Sequence, residues 1–339
     1  MNRNSPVFIL GYPRSGTTLL RAMLGAHPDI KMINEPELIY GLYRAGYSVE
    51  SLFHPEHRQL VLSGLREFKL TRSHLETLPQ AATDAFLSRP GVMTFKEVYE
   101  SLLPRPEDSL IWGEKSLNNS FLMPILVKLY PNALIVNVMR DARSSILSNY
   151  NKVHVLSKKN EGNAESQLPR SPRLNDLRFF TLESMKWKTW MQILERETQS
   201  VSGNLLVVKY EDLLVDPETV LGRICQRIGL SLDARMISPE TRKDDPVLRT
   251  DSSVIHKKLS EPLDQSRATA YRRLPPWAIY TIESHTRPLL QCYEYEPSGI
   301  ELPLRDRVRY MLMSLISNKG LRAKVETYYK FRRFSPPRT

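Results

Sequence analysis

A chain of 339 residues, 41% hydrophobic and 25% charged, has the composition of a folded protein of one large or two small domains, which excludes a disordered tail. Forty-eight lysines and arginines against 37 aspartates and glutamates give a formal charge of +11, so acidic partners are expected: an anionic small molecule, nucleic acid or a membrane surface. Cys225 and Cys292 are too few for a disulfide framework or a Cys-based zinc site, and no run of about 18 apolar residues marks a spanning helix. A cytoplasmic protein is expected, at most peripheral to the inner face of a membrane.

In chain order, the apolar run Val7-Phe8-Ile9-Leu10 ends at Gly11 and is followed by Leu19, Leu20, Met23 and Leu24 at helical spacing, which predicts strand, loop and helix. Further strands are predicted at Leu110 to Trp112, Ala133 to Met139 and Leu205 to Val208, with helices at Phe121 to Leu129 and Thr219 to Ile228. This alternation predicts an α/β fold, a parallel sheet covered by helices on both faces. The polar stretch Val153 to Asp176 reads as a long loop, either a substrate lid or an inert insertion, and with Ile39 to Leu60 it is expected to shape the acceptor pocket. From Arg305 onward ten basic residues face two acidic ones, so most of the net charge lies in the tail. Val308, Met311, Leu312, Leu315 and Ile316 fall on one helical face there. That face suits an anionic membrane surface, or docking on the main domain or a second subunit. A main domain over 1–300 and a basic helical extension over 301–339 are expected.

The segment Gly11-Tyr12-Pro13-Arg14-Ser15-Gly16-Thr17-Thr18 joins the first strand to the first helix, where backbone N–H groups and the helix N-terminus converge on an anion. Its glycine spacing is that of a nucleotide-triphosphate loop, yet Thr17 stands where such a loop carries lysine. The cation lies instead inside the loop, at Arg14, whose planar guanidinium can donate two parallel hydrogen bonds to one oxyanion group. The strand at Ala133 to Met139 likewise ends in Arg140-Asp141, a cation where a magnesium-binding carboxylate is usual. No metal is expected.

Val7 to Thr18 with Leu19-Leu20-Arg21 resembles the 5′-phosphosulfate loop of sulfotransferases that use 3′-phosphoadenosine 5′-phosphosulfate (PAPS). Ala133 to Ser148 resembles their 3′-phosphate motif, with the family's arginine at Arg140 and its serine at Ser148. Gly113-Glu114-Lys115-Ser116 and Lys209-Tyr210-Glu211-Asp212-Leu213 follow the family order, and Arg21 to Leu24 with Ala26 to Asp29 look like the broad bacterial and Golgi-type branch that includes tyrosylprotein sulfotransferases.

The resemblance implies a sulfuryl transfer from PAPS by in-line displacement, governed by positioning and charge neutralisation. By the resemblance Glu35 matches the catalytic glutamate of the tyrosylprotein branch, with Glu37 and His27 as the other candidates for general base. Arg14 and Lys115 are the cations expected to stabilise the departing oxygen. Ser15, Gly16, Thr17 and Thr18 are expected at the 5′-phosphosulfate, Arg140 and Ser148 at the 3′-phosphate with help from Lys152, and Tyr210 at the nucleotide. Arg143 is left between a site role and a solvated one. The late nucleotide loop falls near Ala268 to Arg273, its serine at Thr250, Ser252 or Ser253. Tyrosylprotein enzymes carry a basic residue where this chain has Glu37, so the expected acceptor is a hydroxyl of a small metabolite, a carbohydrate or a glycolipid. The other classes open to the sequence are a P-loop kinase or ATPase, and a non-catalytic basic protein on a membrane. Nucleic acid is not expected, because no basic patch is interleaved with aromatic residues.

Overall fold

The computed structural model describes residues 5–104, 111–157, 168–199, 201, 203–238, 259, 261–318 and 325. Five parallel strands form the central sheet: β1 (Val7–Gly11), β2 (Ile30–Asn34), β5 (Ile111–Lys115), β6 (Leu134–Met139) and β7 (Leu205–Lys209), in the order β2-β5-β1-β6-β7. Two short strands, β3 (Leu52–Phe53) and β4 (Met93–Thr94), make a separate antiparallel pair. β1 lies at the centre and is wholly buried, which its unbroken apolar sequence requires. Side chains alternate across the strand. Phe8 and Leu10 enter a core with Trp187, Trp190 and Trp277 from helices Leu174–Thr198 and Pro276–Cys292, while Val7 and Ile9 enter one with Leu20, Leu24, Leu221 and Ile224 from helices Thr17–Leu24 and Pro217–Ile228.

The chain leaves β1 toward β2 on one side and leaves β6 toward β7 on the other. Such a reversal opens a crevice at the carboxyl ends of two adjacent strands, the usual ligand position in an open parallel sheet. Arg14 follows β1 and Arg140 follows β6, so the topology places both at this crevice.

The α/β expectation and the strand at Ala133 to Met139 are met with boundaries shifted by one residue. Other expectations are corrected. Leu110 lies outside the described residues, and that strand runs on to Lys115. Phe121 closes a 3-10 turn (Leu117–Phe121), and Met123–Leu129 forms the helix after it. β2 was not anticipated; its segment Ile-Lys-Met-Ile-Asn is an edge strand with Lys31 exposed between buried Ile30 and Met32. Residues 39–60 are not an open loop, for they hold the helix Leu38–Arg44, β3 and the start of the helix Arg58–Arg66, and bury Ile39, Leu42 and Phe53. The long polar segment shortens too, because the helix Ala142–Ser157 continues into it and residues 158–167 lie outside the described residues.

In the C-terminal region, helix Leu304–Asn318 sends Tyr310 into the main core together with Leu302. Val308, Met311 and Leu312 are exposed, and the side chains of Leu315 and Ile316 lie outside the described residues. A register read from aliphatic residues alone overlooks the tyrosine, whose large ring makes the buried contact.

Candidate active site

The loop after β1 is shaped by two close approaches. Gly11 has φ 149° and lies so near β6 that a Cβ would come 2.5 Å from the Val138 carbonyl oxygen, which leaves room only for glycine. Gly16, at φ 92°, caps the helix Thr17–Leu24, and the Tyr210 ring lies where its Cβ would be. Arg14 adopts the left-handed region at φ 71°, a strained conformation for a residue with a side chain. Ser15 and Thr17 are buried in the turn, and Thr18 is half-buried.

Four of the expected donor-site residues meet here. Arg14 Nε donates to Ser148 Oγ at 3.1 Å, and Arg140 Nη1 donates to the Arg14 carbonyl at 3.0 Å. The Arg140 guanidinium sits over the Tyr210 ring, 4.3 Å from its centroid. Burial, and then the neighbouring Arg140 charge, lower the Arg14 pKa. Among the described residues no carboxylate lies within ion-pairing distance of either guanidinium. Arg140 Nε is buried without an acceptor. Two adjacent cations, a buried N–H with no acceptor among the described residues and a glycine-walled turn form a cradle whose chemistry suits an anion. Arg140 also donates from Nη2 to the Arg267 carbonyl at 3.2 Å, which brings the segment 265–273 to the cradle's rim. Thr250, Ser252 and Ser253 lie outside the described residues, and Lys152 is half-buried on the Ser148 helix.

A second cluster stands at the ends of β2 and β5. Asn34 pairs with Lys115 in the sheet, and the Glu35 N–H extends the ladder to the Lys115 carbonyl at 2.8 Å. This register puts the Lys115 ammonium against Glu35 Oε1 in a short ion pair. Lys115 is buried with only 3% of its side chain exposed, whereas 28% of Glu35 is open to solvent. Burial lowers the Lys115 pKa, and Glu35 counteracts this. Glu35 and Glu37 flank Pro36 with left-handed φ values of 47° and 50°, so two non-glycine residues are strained within one turn. Such strain persists only where the surroundings fix it. The Glu37 N–H donates to Ser116 Oγ at 3.4 Å and the Glu37 carbonyl accepts from Thr71 Oγ1 at 3.2 Å.

Sequence reasoning missed that Glu37 and Glu114 are buried. Burial, with Glu35 nearby, pushes Glu37 up to about 7, and burial pushes Glu114 up to about 8. Both groups are ordinarily ionised above 4.5, so between these limits the fold holds protons that the unfolded chain has released. Their contribution to stability is complete below the unfolded value and is lost as pH rises through the folded ones. Urea denaturation midpoints are therefore expected to fall between about pH 5 and about pH 9, and to fall less in Glu114→Gln. An equal fall in the variant would show that Glu114 is ionised in the fold.

Two residues are reassigned. Arg143 is not solvated: it is buried, donates to Asp141 Oδ2 at 2.5 Å and to Glu283 Oε1 at 2.7 Å, and lies 3.9 Å above the Tyr271 ring. Asp141 thereby spends both carboxylate oxygens on Arg143. His27 bonds the Ser231 carbonyl through Nε2 at 3.1 Å and accepts the Asp29 N–H on Nδ1, so it fastens a turn.

A sequence model for the sulfotransferase family matches residues 6–234, which span the cradle, the Glu35–Lys115 pair and the Tyr210 strand end. The chain belongs to the sulfotransferase family and is a sulfotransferase. Protein-tyrosine sulfotransferase A of Caenorhabditis elegans is 23% identical over 300 residues, covering 88% of this chain and 69% of that one. Protein-tyrosine sulfotransferase 1 of Homo sapiens is 31% identical over 142 residues, 42% of this chain and 33% of that one. Among solved structures, the sulfotransferase domain of the Synechococcus PCC 7002 olefin synthase superposes with a TM-score of 0.54 at 21% identity, covering 88% of this chain and 97% of the domain. That likeness shows the fold.

These relatives correct two expectations. A small-metabolite, carbohydrate or lipid-linked acceptor does not stand, because the curated relatives are named for protein tyrosine. The expectation rested on an acidic Glu37 facing the acceptor, and Glu37 is only 2% exposed. The cytoplasmic placement is also overturned, since the chain matches the protein-tyrosine members of the Golgi-type branch. Cysteine count and the lack of a long apolar run were weak guides to compartment. Among the described residues no helix is long and apolar enough to cross a membrane.

Proposed function

We propose that this sulfotransferase moves the sulfuryl group of PAPS to the phenolic oxygen of a tyrosine in a polypeptide, with Glu35 as general base. One observation carries the reading: the carboxyl ends of the adjacent strands β2, β5, β1 and β6 carry a lysine-held, partly open carboxylate and a cradle of two guanidiniums that have no ion-paired carboxylate among the described residues. The donor supplies an activated sulfuryl group and departs as adenosine 3′,5′-bisphosphate. Arg14, the Ser15 hydroxyl and the N–H groups of Gly16, Thr17 and Thr18 hold its 5′ end, and Arg140 and Ser148 hold its 3′-phosphate. Tyr210 fixes the cradle wall against Gly16. With Oε1 held by Lys115, Glu35 takes the phenolic proton on Oε2. Lys115 and Arg14 place positive charge where the departing oxygen gains electrons. The tyrosine acceptor is carried from the relatives, and Glu37, being buried, does not oppose it.

The test is a thermal-shift comparison of adenosine 3′,5′-bisphosphate with ATP plus magnesium, followed by transfer from PAPS to a tyrosine-containing peptide. A ligand at a hundred times its Kd adds about 2.7 kcal/mol of stability. Stabilisation by the bisphosphate without metal is expected, and Arg140→Ala is expected to weaken it far more than it weakens adenosine 5′-monophosphate. Stabilisation by ATP with magnesium alone would overturn the donor, and a peptide left unmodified by active enzyme would overturn the acceptor.

A further inference from the structure

The donor loop is held from behind by a residue that none of the motifs contains. Glu183 lies on helix Leu174–Thr198 with 7% of its side chain exposed. Its Oε2 accepts from the Tyr12 hydroxyl at 3.2 Å and from Asn149 Nδ2 at 2.8 Å, and its Oε1 accepts from Lys186 Nζ at 2.7 Å. Tyr12 is in the loop after β1, two residues before Arg14. Asn149 directly follows Ser148, whose hydroxyl accepts from Arg14. One carboxylate oxygen thus joins the 5′ and 3′ halves of the cradle, which are otherwise remote in sequence. The same helix face also grips the Tyr12 ring, which meets Trp190 edge-on at 5.6 Å, two turns beyond Glu183.

We infer that Glu183 is a positioning residue for the donor site: by holding Tyr12 and Asn149 on one oxygen it sets the separation of the Arg14 loop from the Arg140–Ser148 face. The need for such a clamp is visible in the loop. Arg14 is strained, and two like charges lie side by side, so the two hydrogen bonds that join the loop to the Arg140–Ser148 face work against strain and repulsion, and an external hold reinforces them. An ionised carboxylate suits the task because it offers acceptors only, and all three of its partners are donors. Glutamine at this position keeps the shape but turns an amide N–H₂ toward at least one donor.

The inference rests on the PAPS reading, and its test separates the two. Binding of adenosine 3′,5′-bisphosphate is measured by calorimetry on the full chain for the wild type, Glu183→Gln, Tyr12→Phe and the double variant, with KM for PAPS and for a tyrosine peptide measured in parallel. Each single variant is expected to raise the bisphosphate Kd and the PAPS KM by roughly tenfold, with the peptide KM unchanged. The double variant is expected to lose no more than the worse single one, because both remove the same link. Tyr12→Phe keeps the ring on Trp190 and so reads the link apart from packing. Unchanged bisphosphate Kd in both variants, or equal rises in the donor and peptide KM, would overturn the positioning role. A wild type that does not bind the bisphosphate would overturn the donor reading, and this inference with it.

Discussion

Glu35→Gln is expected to lower turnover by about a hundredfold or more, the usual cost of removing a general base, while binding of adenosine 3′,5′-bisphosphate stays within about twofold. The amide is nearly isosteric and keeps an oxygen for Lys115, but it cannot accept the acceptor's proton. Two features distinguish this carboxylate from Glu37, its neighbour across Pro36. Glu35 is partly open to solvent and ion-paired, whereas Glu37 is buried, its Oε2 without a hydrogen-bond partner among the described residues. Transfer from PAPS to a tyrosine peptide, with calorimetry for the nucleotide, checks the expectation. Unchanged turnover in Glu35→Gln together with a hundredfold loss in Glu37→Gln would move the base by two residues.

The second large effect is on stability. Arg143→Met is expected to cost about 3–5 kcal/mol, because it strands the Asp141 carboxylate inside the protein and leaves Glu283 only its longer contact to Arg287 at 3.4 Å. A fall in Tm of roughly 4–7 °C follows for a chain of this size. The damage reaches beyond the ion pairs. Arg143 also donates to the Glu296 carbonyl at 3.0 Å and covers the Tyr271 ring, so it joins the end of β6 to helix Pro276–Cys292, to the segment after it and to the rim of the cradle. Differential scanning calorimetry of Arg143→Met against Arg143→Lys reads the loss. Lysine restores the charge but not the forked geometry that engages both carboxylates, so it is expected to recover only part of the Tm. A Tm within about 2 °C of wild type for the methionine variant would show that the network contributes little net stability.

The Arg14–Arg140 cradle was legible in the sequence because its chemistry is local. A strand, a glycine turn and a helix N-terminus are contiguous from Val7 to Leu24, and Arg140 and Ser148 follow one strand along one helix. Their spacing alone carries the geometry. The Lys115–Glu35 pair was legible only as two separate candidates, since their meeting depends on the parallel register of β2 with β5, and β2 itself does not stand out from its five residues.

Periodicity and spacing therefore determined the α/β class and the glycine loop with its displaced cation, and the motifs carried the sulfotransferase resemblance. The tertiary structure decided the rest. It alone gave Glu37 and Glu114 their raised proton affinity, because desolvation depends on which chain segments cover a side chain. It took Arg143 and His27 out of the reacting centre, because their hydrogen-bond partners lie far away in sequence. It brought Glu183 behind the donor loop, because a helix that carries no motif packs there through Trp190. Short-range pattern encodes a backbone that can hold an anion, whereas burial and pairing between distant segments decide the protonation and alignment of the groups around it.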